Sequence, residues 1–231
     1  MCGRYVHPDQ AAIERAWHIG RSNSNPFAER YNVLPTTTVP VLRLDAGTLE
    51  LTGARWGFVP HWWKDAKPPR LTLNARSEEA AIKPMWRHAY ARNRCLLPAL
   101  GWYEWREVEE VDQSTGEVRA RKQPYFIHRL DSKPFAFAGL LSNRSPSPDA
   151  PPELSCAILT RAAAPGLSQV HDRMPVVLPQ SLHSAWIDPA LVQPAAVTRL
   201  IADAENDFAF HAVSMRVNGR LAQGPELVQP L

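Results

Sequence analysis

Proline occupies 22 of the 231 positions, roughly twice its ordinary share of about 5%. Each proline lacks a backbone N–H and locks φ, so it ends helices and is confined to the edges, starts and bulges of sheets. Short elements joined by many fixed turns follow. The length admits one large domain or two small ones. One domain over 1–231 is expected, because the polar, proline-rich stretch 143–153 has strand-like segments directly on both sides and reads as a surface loop. With 45% hydrophobic and 21% charged residues, the chain is of ordinary soluble, globular composition. No apolar run approaches the roughly 20 residues that span a bilayer, and the start lacks the basic and apolar regions of a signal peptide. The expectation is an intracellular protein without a membrane partner: cytoplasmic, and nucleoid-associated if the host is bacterial.

The hydrophobic pattern reads as many short strands with a few helices. Residues 10–17 place Ile13, Ala16 and Trp17 on one helical face, with Pro8 and Asp9 in the first turn. Apolar runs over 38–44 and 49–56 flank Asp45-Ala46-Gly47 and form a β-hairpin. Residues 71–76 alternate apolar with polar, burying Leu71, Leu73 and Ala75 and turning Thr72, Asn74 and Arg76 to the other side. Ser77 caps a short helix over 78–82. Further strands are expected over 94–99, 101–106, 124–130, 135–141, 154–160, 174–178 and 208–214, with helices over 179–186 and 194–204 and an exposed hairpin excursion over 107–122. This mixture predicts an α+β fold: a strongly bent, mainly antiparallel sheet or open β-barrel with peripheral helices.

Cys2, Cys95 and Cys156 are odd in number and without paired spacing, which argues against a disulfide framework or a zinc site. Cys95 and Cys156 lie in apolar runs and read as inert core residues. The eight histidines show no ligand spacing, so no metal is predicted, and no cofactor either. Net charge is +3, compatible with nucleic acid without demanding it. Distribution says more: Arg55, Lys64, Lys67, Arg70 and Arg76 interleave with Trp56, Phe58, Trp62 and Trp63, and a second cluster is Arg87, His88, Arg92 and Arg94. Cations with aromatic platforms suit a single strand, whose phosphates pair with the charges while its bases stack on the rings. A solvated face beside core tryptophans has the same composition.

Cys2 follows the initiator methionine. Once Met1 is removed, an α-amine with a pKa near 7.7–8.0 and a thiol with a pKa near 8.5 stand on adjacent carbons. The amine condenses with an aldehyde and the thiol closes the imine into a thiazolidine, chemistry that no internal cysteine can do. Glu104 sits among Trp102, Tyr103 and Trp105, where desolvation raises a carboxyl pKa toward the range useful for acid–base work, against the pull of Arg106. His171, before an apolar strand, can protonate an oxygen, tuned by Asp172 or Arg173. The amide of Asn74 can donate to an oxyanion or hold a hydroxyl. Arg4 and Arg76 offer guanidinium forks for phosphate, and Gly3 lets the backbone approach a ligand. Singly, each also has an ordinary structural reading: a packed thiol, a surface ion pair, a core histidine.

Together, Cys2-Gly3-Arg4-Tyr5, Trp56-Gly57-Phe58-Val59-Pro60, Asn74-Ala75-Arg76-Ser77-Glu78, Arg94-Cys95-Leu96-Leu97-Pro98 through Trp102-Tyr103-Glu104-Trp105, and His171-Asp172-Arg173-Met174-Pro175 resemble the SRAP family, the SOS-response-associated peptidase-like proteins. The resemblance implies an abasic-site sensor, acting as a monomer, that binds single-stranded DNA in a basic groove and crosslinks to abasic sites after Met1 is removed. By motif, Cys2 looks like the crosslinking nucleophile, Asn74 and His171 like residues that assist ring opening and orient the sugar, and Glu104 like the acid/base for imine formation and reversal. Arg4, Arg76 and Gly3 look like DNA contacts, and Trp62 and Trp63 like stacking residues. Leu100 stands where members commonly have Asp, and Trp102 where Phe is usual. Both flank Glu104 and bear on its pKa. Two other readings use the same residues: a cysteine peptidase with Cys2, His171 and Asn74, which would explain self-removal of Met1, and a non-covalent single-strand binder.

Overall fold

The computed structural model describes residues 2–231 apart from 21–25, 66, 70–71, 112–113, 115, 146 and 148–149. In chain order its first half comprises β1 (Arg4–His7), α1 (Gln10–Trp17), β2 (Arg30–Val33), β3 (Thr38–Asp45), β4 (Thr48–Trp56), β5 (Asn74–Arg76), α2 (Ser77–Ala80), α3 (Arg87–Arg92), β6 (Arg94–Ala99) and β7 (Gly101–Val111). There follow β8 (Val118–His128), β9 (Phe135–Arg144), β10 (Glu153–Ala162), β11 (Arg173–Pro175), α4 (His183–Ile187), α5 (Pro194–Ala202) and β12 (Ala209–Ala212), with 3-10 turns at Gln180–Leu182, Met215–Asn218 and Pro225–Val228. Among the described residues no helix is long and apolar enough to cross a membrane.

The strands form two sheets, mainly antiparallel and strongly curled, which is the expected α+β fold. One has the order β12-β8-β7-β1-β2. The other runs β11-β10-β4-β3-β6-β9, with β5 added beside β10 and a further β10–β9 pairing that bends it back on itself. Its parallel contacts are β10 with β4 and β10 with β5.

Local sequence explains most elements. α1 has the expected bounds, and Asp9 is its N-cap, its carboxylate accepting from the Ala12 N–H at 2.7 Å, so Pro8 and Asp9 stand ahead of the first turn and not within it. The β3–β4 hairpin turns through Ala46 and Gly47 at φ 46° and 81°, the paired positive values of a two-residue turn. β7 and β8 run to Val111 and Val118, so much of the excursion over 107–122 is a continuation of the same ladder. Three expectations are corrected. Ser77 is the first residue of α2 and not its cap; Arg76, still extended, occupies that position without a side-chain bond. The helix over 179–186 divides into a 3-10 turn and α4. Arg94 is no groove cation: 3% exposed, it donates to the carbonyls of Tyr90, Ala91, Trp186, Asp188 and Leu191.

The core between and behind the sheets is aromatic. Tyr5 meets Trp56 and Phe137 edge-on at 5.2 and 5.7 Å, and Trp102 meets Phe137 at 6.0 Å. Such pairs add to the area they bury. Gly139 permits the close approach of β6 and β9, since a Cβ there would lie 2.3 Å from Leu97 Cδ1 and 2.8 Å from Cys95 Sγ.

Candidate active site

β1 lies between β2 and β7 with Arg4 opposite Tyr103 and Tyr5 opposite Trp102, so the strand leads the start of the chain alongside Glu104. From the other sheet β5 brings Asn74, held in register against Ile158, and its side-chain N–H donates to the Cys2 carbonyl at 2.8 Å. His171 stands just ahead of β11, and its Nε2 is 3.9 Å from Glu104 Oε2. Cys2, Asn74, Glu104 and His171 therefore meet, from four separated stretches of sequence. A cavity of about 500 Å3 opens beside them, lined by Glu104, Trp105, Lys122, His171, Met215 and Asn218.

Burial sets the protonation states. Glu104 is 2% exposed, and desolvation pushes its carboxyl up to about 7, so near neutrality it both gives and takes a proton. Arg106, expected to oppose this, is not among the charges that act on Glu104. Burial lowers the His171 pKa, with Asp172 pulling the other way, which keeps the ring neutral at physiological pH. In the tautomer with its proton on Nε2, the nitrogen 3.9 Å from Glu104 Oε2, Nδ1 accepts from the Arg173 N–H at 3.0 Å. Whenever Nδ1 carries a proton, in the other tautomer or in the charged ring, it donates to Asp172 Oδ1 at 2.8 Å. The Cys2 thiol, 1% exposed, is raised by burial and then by the charge of Glu104. It is a thiol, not a thiolate, at neutral pH, and needs a base before it attacks.

The remaining sequence candidates lie around this centre. Gly3 is half-buried between Cys2 and Arg4. Arg4 bonds Asn32 Oδ1 and the Asn218 carbonyl, both at 3.0 Å, and the Val217 carbonyl, so it ties down the Met215–Asn218 turn at the cavity's edge. Arg76 is exposed at the end of β5. Trp62 is 45% exposed with its ring 5.9 Å from that of Trp63, whose indole N–H donates to the Lys67 carbonyl. These two tryptophans sit on the connection from β4 to β5 and are not among the cavity's lining residues. Arg70 and Leu71 lie outside the described residues. Sequence reasoning overlooked Lys122, Met215 and Asn218. Trp105 was visible only as part of a motif, and the other three carry no local signal.

The family model for SOS response associated peptidase (SRAP) matches residues 1–220. The chain belongs to the SRAP family. Among this SRAP chain's relatives, the abasic site processing protein YoqW of Bacillus subtilis is 32% identical over 99% of both chains. The abasic site processing protein YedK of Escherichia coli is 34% identical over 87% of this chain and 85% of its own. A solved structure from Bacteroides thetaiotaomicron shares the SRAP chain's fold, with a TM-score of 0.78 at 22% identity, covering 98% of this chain and 99% of that one.

Proposed function

We propose that this SRAP protein, acting as one unit over 1–231, processes abasic sites in single-stranded DNA by forming a covalent thiazolidine through Cys2 after Met1 is removed. The observation that carries this reading is the convergence of Asn74, Glu104 and His171 on Cys2, the one cysteine able to present an amine and a thiol together. It is supported by relatives named as abasic site processing proteins.

In the proposed sequence the ring-opened sugar presents its aldehyde carbon to the Cys2 amine. His171 Nε2–H donates to the ring oxygen as it opens, and Asn74 orients the sugar. Protonated Glu104 donates to the carbinolamine hydroxyl, which leaves as water and yields the protonated imine. Glu104, now ionised, takes the thiol proton while Sγ bonds to the imine carbon and the C=N π pair passes to the nitrogen, which keeps its own proton in the completed thiazolidine. Run backwards, the same carboxyl opens the ring. Arg4, Arg76 and Gly3 contact the DNA backbone, with Trp62 and Trp63 stacking on bases.

Intact mass of the purified protein, with and without abasic single-stranded DNA, tests this. The expected result is a trimmed chain beginning at Cys2 and a stable adduct on that residue. A trimmed chain that forms no adduct overturns the reading. Cys2→Ser should give only an imine, trapped by borohydride and released by heat. The nearness of Glu104 to the Cys2 thiol also favours a second activity, Cys2 attacking its own Met1 carbonyl to remove that residue. Cleavage confined to that bond separates this from a general peptidase.

A further inference from the structure

Asn32 is the third residue of β2 and 1% exposed. The two N–H bonds of its side-chain amide are shared among the carbonyls of Val217, Gly219 and Ala222 at 3.2, 3.1 and 3.0 Å, while its Oδ1 accepts from the Arg4 guanidinium at 3.0 Å. Its main chain is held by the same stretch. Gln223 Oε1 accepts from the N–H groups of Tyr31 and Asn32 at 3.2 Å each, and Gln223 Nε2 donates to the Asn32 carbonyl at 2.8 Å. The clamped segment is the Met215–Asn218 turn and the irregular chain after it, and Met215 and Asn218 line the same cavity as Glu104 and His171. The turn is pinned from β7 too, where Trp105 Nε1 donates to Asn218 Oδ1 at 3.0 Å.

Apolar packing alone does not account for this placement. Val217 is buried against Val6, Tyr103 and Phe126, but hydrophobic contact is non-directional. It leaves the rotation of an irregular turn open, whereas a carboxamide bonding three carbonyls fixes it. Buried polar groups carry such directional information at the risk of a large penalty if a partner is lost. We propose that Asn32 is a positioning residue for adduct formation: by clamping residues 217–222 it holds the Met215–Asn218 turn as the wall of the cavity that receives the abasic sugar. This role rests on the abasic-site reading above. It assigns Arg4 a share in the same clamp, whatever its contact with DNA.

The test uses the full, trimmed chain. Asn32→Asp keeps the shape and the Arg4 partner but turns the donor into an acceptor facing three carbonyls. Gln223→Ala removes the second half of the clamp without touching the cavity lining, and stands in should the first variant fail to fold. Two quantities are measured: amide hydrogen exchange of 215–223, and the single-turnover rate of adduct formation at saturating abasic oligonucleotide across pH. Faster exchange in that segment is expected, with a rate reduced roughly tenfold to a hundredfold, the cost of misplacing a reacting group by about 1 Å. The limb of the pH profile belonging to Glu104 should also move to lower pH as water reaches the carboxyl, with His171, Asp172 and Lys122 around it unchanged. Folded variants with the wild-type rate and pH profile would overturn the proposal even if exchange rose. A wild type that forms no adduct sinks the abasic-site reading and this role together; an active wild type with indifferent variants sinks this role alone.

Discussion

The molecule holds its three cysteines in two settings. Cys95 and Cys156 lie fully buried on adjoining parts of the curled sheet, and Cys2 is buried where the chain start meets β5 and β7. Desolvation raises the pKa of all three, so burial does not tell a reactive thiol from an inert one. The neighbours do. All three thiols belong to one apolar cluster with Leu97, Phe137 and Ile158, but Cys2 sits at its polar edge, where a carboxyl with a pKa near 7, a neutral imidazole and a carboxamide stand beside it. Arginines divide the same way, Arg94 spent on carbonyls inside and Arg76 exposed at the edge. Residue type names a capability, and the setting decides whether it is used.

The sharpest way to break this contrast is to exchange the thiols one at a time. Cys2→Ala should abolish the heat-stable adduct on abasic DNA, leaving only an imine that borohydride traps. Cys95→Ala should keep full stoichiometry while losing roughly 1–3 kcal/mol in urea unfolding, as core truncations do. A heat-stable adduct that survives loss of Cys2, or one that disappears from a folded Cys95 variant, would erase the distinction between the two settings.

Glu104 sharpens it next. Glu104→Gln should slow adduct formation by roughly a hundredfold or more, as expected of a lost general acid–base group. It should also stabilise the fold in a pH-dependent way. An unfolded carboxyl ionises near 4.5 and the folded one near 7, so the wild type loses stability as pH rises through that interval and stays at the deficit above it. The glutamine variant is spared, by up to roughly 3 kcal/mol above pH 7 and by nothing below pH 4. Thermal melts of both proteins from pH 4 to 8 measure the difference. Parallel curves would mean that the carboxyl is not held in a desolvating site.

Legibility in the sequence followed the same line between side chains and their surroundings. The α+β class, the β3–β4 hairpin and α1 could be read because alternation, turn residues and capping act locally. Cys2, Asn74, Glu104 and His171 could be picked out because each carries chemistry in its own side chain. The cavity wall could not. Asn32 and Arg4 bind it through main-chain carbonyls that every residue type possesses, and Met215 and Asn218 reach the cavity from an irregular turn more than a hundred residues from Glu104. Arg94 was misread for the converse reason, since a charge in a basic run does not disclose that its partners are buried carbonyls. The exposed hairpin over 107–122 could be read as well, and it proves to be the outer ends of β7 and β8, where cross-strand pairs such as Glu107 with Lys122 and Glu110 with Arg119 join its charges.

The smallest effect concerns the exposed side of the contrast. Arg76 is solvent-facing and makes no side-chain hydrogen bond among the described residues, so replacing it should leave folding within about 0.5 kcal/mol of wild type. Its expected work is electrostatic and outside the fold: one phosphate neutralised on the strand that carries the lesion. Arg76→Gln should therefore weaken binding of undamaged and abasic single strands alike and reduce the slope of log K against log salt by about 0.7, the single-strand value for one released counterion. Fluorescence anisotropy from 50 to 300 mM salt reads this directly. A slope that does not change would remove Arg76 from the DNA-contacting surface, while a change confined to abasic DNA would move it inward, from backbone tracking to the reacting sugar.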